Sequence, residues 1–470
     1  MFQQEDFDNL AELTPNVLTC DYTVSLTDEH LNFFTNRWKH LTLLPGWHED
    51  EPRMWVPVLG TQLTKLVIQA TVLTAACGYL SSPTAFSSLK TLIIQDGCVD
   101  YTNITQLETI SKVCPSLTSL SFEIQELPDE DMDLGALQPA PLVTSLSIFN
   151  VEPEACAGVW CKYLELKYPN ITSLTVSFDG DASYNTLADT TSTLYTLVTS
   201  LNDLDALHLD LSDVYSPDSI VFDALEFPRL RQWLNGKSRL SSFSWRCPHT
   251  THESSTDVNH YTMTSIDTLN RLSSLKQDIY DPQDRLMLDC LTLPIELPAP
   301  ISLFESLVTL DICVLEKSQH LHLDLADLLL RMPNLLHLAL KKFSLYDTQN
   351  AGGRLAHPHP LTTLHLTETH VITQNIPEPF TLDLTPIVNS CPHLDQLLLH
   401  RFNGHRLLID SPQHSFSRLS LNGAASSDFK EDHVTLILNG KPSSTANAPS
   451  SVIKCKAVGK FDRKLCVCMT

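Results

Sequence analysis

One pattern of apolar positions recurs along most of the chain. A leucine is followed, after two variable residues, by a second leucine and, two positions later, by a third apolar residue. Alternation of this kind predicts a short strand whose apolar side chains, the anchors, face one way. The clearest copies begin at the first anchors Leu89, Leu117, Ile171, Leu204, Leu307, Leu335 and Leu394. The pattern therefore predicts a chain built from internal repeats.

The spacing of the first anchors gives the length of the repeat. Steps of 25, 26, 28, 26 and 28 residues separate successive first anchors from Trp38 to Ile171. The step of 67 residues from Leu240 to Leu307 is too long for one repeat and predicts a degenerate copy near Leu272, for about fourteen copies in all. A period of roughly 20 to 29 residues is typical of leucine-rich repeats, and the long end of that range leaves room for a helix.

The segments between the strands carry helical periodicity. Apolar residues recur at three-residue steps before the strand that begins at Leu117, namely Ile104, Leu107, Ile110 and Val113. They predict one apolar stripe on a helix. Similar apolar runs precede other strands, at 194–201, 325–330 and 384–388. Each repeat is therefore predicted to be a strand followed by a returning helix.

Together these patterns predict an α/β fold, a leucine-rich-repeat solenoid or horseshoe. Its parallel sheet is expected on the concave face and its helices on the convex face. Three parts are expected: an N-terminal cap or degenerate segment over 1–37, the solenoid over 38–440, and a linker with a basic C-terminal tail or cap over 441–470. Alternating apolar residues from Val452 to Val458 predict a strand that could cap the solenoid.

Four repeats share a second motif at the turn into the strand, where a proline ends the helix. They read CPSLTSL from Cys114, YPNITSL from Tyr168, MPNLLHL from Met332 and CPHLDQL from Cys391. These phrases resemble the repeats of the F-box leucine-rich-repeat family, in a divergent, fungal form, over about four fifths of the chain. The resemblance implies a substrate-recognition subunit of a cullin-type (SCF-like) ubiquitin ligase. Its N-terminal segment would bind the linker subunit of the ligase. Cys114 and Cys391, at these corners, are expected to be buried.

The sequence departs from that family in two ways. The first 37 residues contain no recognisable F-box, so they form either a degenerate F-box-like segment or a simple cap. The usual ladder of Asn or Cys three residues after the third anchor is also missing. The backbone polar groups of the turns there must therefore find different hydrogen-bond partners in each repeat. A free-standing leucine-rich-repeat scaffold with no link to a ligase is therefore the alternative function.

Charge and composition narrow the classes of partner and compartment. A formal net charge of -24 argues against nucleic acid as a partner, because phosphate recognition needs clustered Lys and Arg. No segment reaches the length of a membrane span. The N-terminus lacks the basic and apolar regions of a secretory signal, and the 13 scattered cysteines are typical of reduced thiols. We expect the protein in the cytoplasm or the nucleus.

Residues with catalytic or metal-binding chemistry do not form known motifs in this sequence. It contains no nucleophile elbow, no pair of zinc-binding histidines on a helix, no phosphate-cradling glycine loop and no Cys-x-x-Cys pair. One cluster of ligand types, Cys247, His249, His252 and His260, fits no standard zinc spacing. We therefore expect no enzymatic activity, no cofactor and no metal.

Binding is instead expected at the outward positions that alternate with the anchors on each strand. In the N-terminal half these positions carry mostly serine and threonine. In the middle and C-terminal half they carry larger, often ionisable side chains, and the hot spots of protein interfaces favour large side chains. The candidate residues for binding a protein partner on the concave face are therefore His208, Asp210, Arg246, Asp311, His337, Lys341, His365 and His400.

Overall fold

The computed structural model of the protein describes the segments that carry its strands and helices. The described residues are 43–44, 60–69, 86–95, 104–124, 134–151, 158–181, 184–215, 232–234, 236, 239–246, 270–279, 304–314, 322–346, 355, 358–367, 370–372, 381–402, 406–423, 434–438, 441–442 and 451–463. The chain forms two compact units, of which unit 1 comprises Met1–Arg229 with Cys247–Ser254, and unit 2 comprises Leu230–Arg246 with Ser255–Thr470. The predicted segment 1–37 and the cluster from Cys247 to His260 lie outside the described residues.

Unit 1 is a parallel sheet with helices in the connections. Its strands are β1 (Leu43–Leu44), β2 (Lys65–Gln69), β3 (Thr91–Gln95), β4 (Ser119–Glu123), β5 (Ser145–Val151), β6 (Ser173–Asp181) and β7 (Ala206–Tyr215). Each strand pairs in parallel with the next one along the chain. The connections contain α1 (Ile104–Val113), the 3-10 turn Leu134–Ala136, α2 (Gly158–Lys167) and α3 (Tyr184–Ser200). The helical stripe predicted in α1 is confirmed, because its four apolar residues are all buried.

Unit 2 continues the same pattern with more strands. These are β8 (Ser242–Arg246), β9 (Ser274–Ile279), β10 (Thr309–Val314), β11 (His322–Leu323), β12 (His337–Lys341), β13 (Ser344–Tyr346), β14 (Thr363–Thr367), β15 (His370–Ile372), β16 (Thr381–Asp383), β17 (Gln396–Phe402), β18 (Arg406–Gly423), β19 (Val434–Leu438), β20 (Lys441–Pro442) and β21 (Ser451–Arg463). The helices of this unit include α4 (Leu325–Arg331) and α5 (Thr385–Ser390), and residues 232–234 and 236 are also helical.

The main sheet of unit 2 is parallel, in the order β8-β9-β10-β12-β14-β17-β18-β21. A feature absent from the sequence prediction is a second parallel sheet of β11, β13 and β15, each of which follows a strand of the main sheet. Strand β21 also pairs in parallel with β19, and it contains the alternating segment from Val452 to Val458. The domain boundaries at 37/38 and 440/441 stay predictions.

The apolar anchors form the core of both sheets. In unit 1 the second anchors lie in register and are at most 1% exposed: Leu66, Leu92, Leu120, Leu146, Leu174 and Leu207. The same column in unit 2 contains Phe243, Leu275, Leu310, Leu338, Leu364, Leu397 and Leu419. Burying each such side chain stabilises the fold by about 1.5–3 kcal/mol. The predicted α/β architecture of parallel repeating strands is confirmed.

Two predictions about individual repeats have different outcomes. The degenerate copy near Leu272 is confirmed, since Leu272 and Leu275 are buried and β9 pairs with both β8 and β10. The first repeat was placed in the wrong register. Because Leu44 pairs with Leu66, the first anchor of that repeat is Leu41, three residues after Trp38. Trp38, Leu41 and Leu43 fit the first register in full, whereas the second register has Leu41 and Leu44 followed by Gly46. The strand pairing nevertheless selects the second.

A tight turn leads into several of the strands, namely β3, β4, β5, β10, β12 and β17. The N–H of the first anchor donates to the carbonyl oxygen three residues earlier, for example from Leu117 to Cys114 at 3.2 Å and from Leu394 to Cys391 at 3.0 Å. Proline at the second position of this turn has the fixed φ that the turn requires. The two cysteines are buried as predicted, and burial raises the pKa of the Cys391 thiol to about 12.

A ladder of three polar side chains ties turns of this chain to the preceding repeat. Asn170 donates from Nδ2 to the carbonyl oxygen of Pro141 at 3.0 Å, and Asn334 donates in the same way to Glu305 at 2.7 Å. Ser116 donates from Oγ to the carbonyl oxygen of Ser87 at 2.7 Å. The ladder lies just before the first anchor, which is a different place from the Asn or Cys ladder that the sequence lacks.

His359 lies two residues before the first anchor Leu361, in a repeat without the Cys-Pro or Met-Pro motif. Its side chain is buried, and its Nδ1 accepts a hydrogen bond from the N–H of Leu361 at 3.2 Å. The proton of the neutral ring is therefore on Nε2, which donates to the carbonyl oxygen of Met332 at 2.9 Å. Burial lowers the pKa of this histidine. The ring is a structural link between repeats.

Among the described helices, none has both the length and the apolar character that a membrane crossing requires.

Candidate functional site

The outward side chains of the main sheet in unit 2 form a continuous surface, because neighbouring strands are in register. Lys276, Asp311, Ala339 and His365 occupy one row across β9, β10, β12 and β14. A second row carries Lys341, Thr367 and His400, and a third carries His337 and Arg418. We call this surface the unit-2 strand face and define it by Arg246, Lys276, Asp311, His337, Lys341, His365, His400 and Arg418.

Arg246 and Asp311 form an ion pair across β9. The distance from Nη2 of Arg246 to Oδ2 of Asp311 is 2.8 Å, and both side chains are about one quarter exposed, at 27% and 26%. A pair with this exposure contributes up to about 1 kcal/mol, because water competes for both charges. The pairing links two strands that are not neighbours and compensates the carboxylate on this face.

His365 and His400 meet on adjacent strands. Nε2 of His365 lies 3.3 Å from Nδ1 of His400, and the ring planes are at 76°. Oγ1 of Thr367 lies 2.9 Å from Nε2 of His365, and Oγ of Ser420 lies 3.3 Å from Nε2 of His400. Two proton arrangements are compatible with the contact between the rings, since the protons can point from His365 toward Ser420 or in the reverse direction. In the reverse direction Nε2 of His365 has one lone pair and accepts from either Thr367 or His400. Both arrangements leave the two rings neutral.

The surroundings of the pair favour the neutral form of each ring. Burial lowers the pKa of His365, and the neighbouring His400 lowers it as well. The carboxylate of Asp311 raises the pKa of His365, whereas Arg418 lowers it. Burial and then Arg418 lower the pKa of His400. The positive charge of Arg418 therefore acts on both rings.

Six of the eight sequence-predicted residues lie on the unit-2 strand face. His337 is exposed and Lys341 is half-buried, and neither side chain makes a hydrogen bond or an ion pair with another residue that the structure describes. His208 and Asp210 lie on β7 in unit 1, where they pair with Thr175 and Ser177 of β6. The structure therefore places the predicted set on two units.

Two cations on this face, Lys276 and Arg418, were not predicted from the sequence. Lys276 lies on β9, whose repeat is degenerate and therefore did not reveal its outward positions. Arg418 lies on β18, directly beside Gln396 in the register, and is exposed. The signal for Arg418 was present in the sequence, because it stands between the anchors Phe416 and Leu419.

The corresponding surface of unit 1 is mostly hydroxylic, as the sequence indicated. Its rows include Ser119 beside Ser145 and Ser173, and Ser121 beside Ser147 and Thr175, and we call it the unit-1 strand face. Its exposed aromatic side chain is Phe149, which is 37% exposed and pairs with Glu123. This face therefore offers Phe149, and the half-buried Val67 and Ile93 in the row of Ser121, as apolar contacts within a polar, weakly charged surface.

Unit 1 also contains an open cleft of about 470 Å³ beside α1 and the end of α2. Two ionisable side chains at its wall, Glu108 and Lys167, already bind each other at 2.8 Å. Among the described residues, no group of three His, Cys, Asp or Glu side chains is placed to hold a metal ion. The arrangement with the most exposed binding chemistry is therefore the unit-2 strand face.

Comparison with known proteins gives similarities in structure but none in sequence. No family model matches the chain, and no curated protein matches it in sequence. Among solved structures, this protein is similar to a chain in the crystal structure of the Rad7 and Elc1 complex in yeast. The two chains have 14% sequence identity and a TM-score of 0.38. The match covers 86% of this chain and 84% of that chain.

The class of the protein follows from its own strands. Repeats of the predicted length, buried leucine anchors in register and parallel neighbouring strands are the features of a leucine-rich-repeat fold. The chain therefore has an α/β leucine-rich-repeat fold.

Proposed function

We propose that this chain is a protein-interaction subunit that recognises substrates for a cullin-type ubiquitin ligase. The observation that carries the interaction part is the unit-2 strand face, where large ionisable side chains project from adjacent parallel strands. A sheet holds such side chains in fixed positions, which lowers the entropy lost on binding. In this proposal the protein contributes by positioning a partner, and no residue of the chain performs chemistry.

The link to a ligase rests on the resemblance of four repeat phrases to the F-box leucine-rich-repeat family. In that arrangement residues 1–37 would bind the linker subunit of the ligase, and the strand face would bind the substrate. The alternative is a free-standing scaffold with no link to a ligase. Both functions use the same face, and both are proposed for the cytoplasm or the nucleus.

Affinity purification of the tagged full-length chain from cells tests this proposal. We expect mass spectrometry to recover a cullin, its linker subunit and at least one further partner. The double variant Lys341→Glu, Arg418→Glu is expected to lose the further partner and to keep the cullin. Lys65→Glu, an exposed lysine on β2 of unit 1, is the matched control and is expected to keep both.

Removal of residues 1–37 supplies the second arm. Loss of the cullin and linker subunit, with the further partner retained, would support the ligase link. Recovery of partners by the full-length chain without any cullin would contradict it and leave the scaffold function.

A further inference from the structure

We propose that the unit-2 strand face binds an acidic segment, rich in Asp and Glu, of the partner protein. This inference rests on the proposed function as an interaction subunit, since it names the class of partner for the same face. It does not depend on the link to a ligase.

The described side chains of the unit-2 strand face and the chain as a whole differ in the sign of their charge. The chain as a whole is acidic, with 55 Asp and Glu against 31 Lys and Arg. The side chains described on the unit-2 strand face have the opposite balance, because the one carboxylate among them, Asp311, is accompanied by the cations Arg246, Lys276, Lys341 and Arg418. Asp311 is also bound by Arg246 at 2.8 Å. Among the side chains that the structure describes on this face, cations therefore outnumber carboxylates, the reverse of the balance in the whole chain.

The basic character belongs to the unit-2 strand face and not to strand faces of this chain in general. The unit-1 strand face carries mainly hydroxyl groups. Its described charges include Lys65 on one strand and the carboxylates Glu123 and Asp210 on others. Both faces are equally outward, so solubility alone does not explain why only one of them collects cations.

The width of the unit-2 strand face matches the length of a short extended peptide. Neighbouring strands are about 4.8 Å apart, so the six intervals from β8 to β18 span about 29 Å. An extended peptide of about nine residues covers that distance, since each residue adds about 3.3 Å. The cations lie at both ends and in the middle of this span, from Arg246 on β8 through Lys341 on β12 to Arg418 on β18. Carboxylates spaced along one segment can therefore reach successive cations.

An acidic protein segment fits this face better than a nucleic acid does. At physiological salt the Debye length is about 8 Å, so a short segment on the face is governed by the nearby cations. A nucleic acid extends beyond the face and carries a phosphate charge at every step, so it also meets the rest of a chain with a net charge of -24. The guanidinium of Arg418 offers N–H donors suited to carboxylate oxygens.

The test uses the full-length chain and a defined probe. Fluorescence anisotropy measures binding of a labelled twelve-residue peptide of alternating Glu and Tyr, and of the same peptide with Gln in place of Glu. We expect the Glu peptide to bind at least about tenfold more tightly than the Gln peptide, and its affinity to fall at least about tenfold between 50 mM and 500 mM salt. The variant Lys341→Glu, Arg418→Glu is expected to lose at least about tenfold, whereas Lys65→Glu stays within about twofold.

Three results would overturn the inference. They are equal binding of the two peptides by the unaltered chain, an equal loss of affinity in Lys65→Glu, and tighter binding of a twelve-nucleotide single-stranded oligonucleotide. Circular dichroism of each variant shows whether it is folded, and the comparison of the two peptides on the unaltered chain needs no variant.

The outcome is separate from that of the ligase proposal. Recovery of a cullin without peptide binding would overturn only the class of partner. Peptide binding without a cullin would support the acidic partner and contradict only the ligase link.

Discussion

Glu108→Gln is expected to destabilise unit 1 by about 3 kcal/mol, because it leaves a buried lysine without its counter-charge. The side chain of Lys167 is 2% exposed, and its Nζ lies 2.8 Å from Oε1 of Glu108. The same ammonium donates to the carbonyl oxygen of Gln138 at 2.8 Å. Tyr163 donates from its hydroxyl to Oε1 of Glu108 at 3.0 Å. Gln keeps the shape of Glu108 but removes the charge that compensates Lys167.

Amide hydrogen exchange in α1 and α2 measures this loss in the full-length chain. The matched control is Glu165→Gln, which breaks the exposed pair of Lys162 and Glu165 and is expected to cost less than about 1 kcal/mol. The double variant Glu108→Gln, Lys167→Met removes both charges and is expected to recover at least half of the loss. Equal, small effects of Glu108→Gln and Glu165→Gln would show that the buried charge is compensated in another way.

Leu272→Ala is expected to destabilise unit 2 by about 3 kcal/mol, although it lies in the least regular repeat. Leu272 is fully buried, and β9, which follows it, pairs with β8 on one side and β10 on the other. Truncation at such a site costs the transfer free energy of the lost methyl groups and leaves a cavity. The loss is expected in hydrogen exchange of β8, β9 and β10 together, since the three strands share one core.

Leu398→Ala is the control for this variant in the same unit. Leu398 is half-buried at an outward position of β17, so its truncation is expected to cost about 1 kcal/mol or less. A cost for Leu272→Ala no greater than that of Leu398→Ala would contradict the assignment of β9 as a full member of the sheet.

The sequence predicted the repeating strands well because their signal is local. The anchors must be apolar at fixed spacing to fill one core, so the pattern survives even where a repeat is degenerate, as at Leu272. The first repeat was assigned to the wrong register because Trp38, Leu41 and Leu44 satisfy the same spacing in two ways. Only the pairing of Leu44 with Leu66 decides between them.

Features that join distant repeats could not be predicted in the same way. Lys167 at the end of a helix reads as an ordinary surface lysine suited to the helix dipole, and nothing in the local sequence relates it to Glu108. His359 lay in a segment with turn residues, and its burial follows from contact with Met332 in the preceding repeat. The pairing of His365 with His400 likewise depends on the register of β14 and β17.

The candidate site was predicted in part for the same reason. Alternation identified outward residues such as Lys341 and His365, because each stands between two recognisable anchors. It did not identify Lys276, whose repeat lacks a clear phrase, and it combined His208 and Asp210 with residues that belong to the other unit. Outward direction is a local property of a strand, whereas membership of one surface is not.

The central claim is that a protein partner docks on the unit-2 strand face, and site-specific photo-crosslinking in cells tests it most directly. A photoreactive amino acid placed at Ala339 lies between Asp311 and His365 in the register of that face. The same amino acid at Ser147 lies between Ser121 and Thr175 on the unit-1 strand face. We predict a crosslinked partner from position 339 and none from position 147. A partner captured from position 147 alone would contradict the claim and place the docking surface on unit 1.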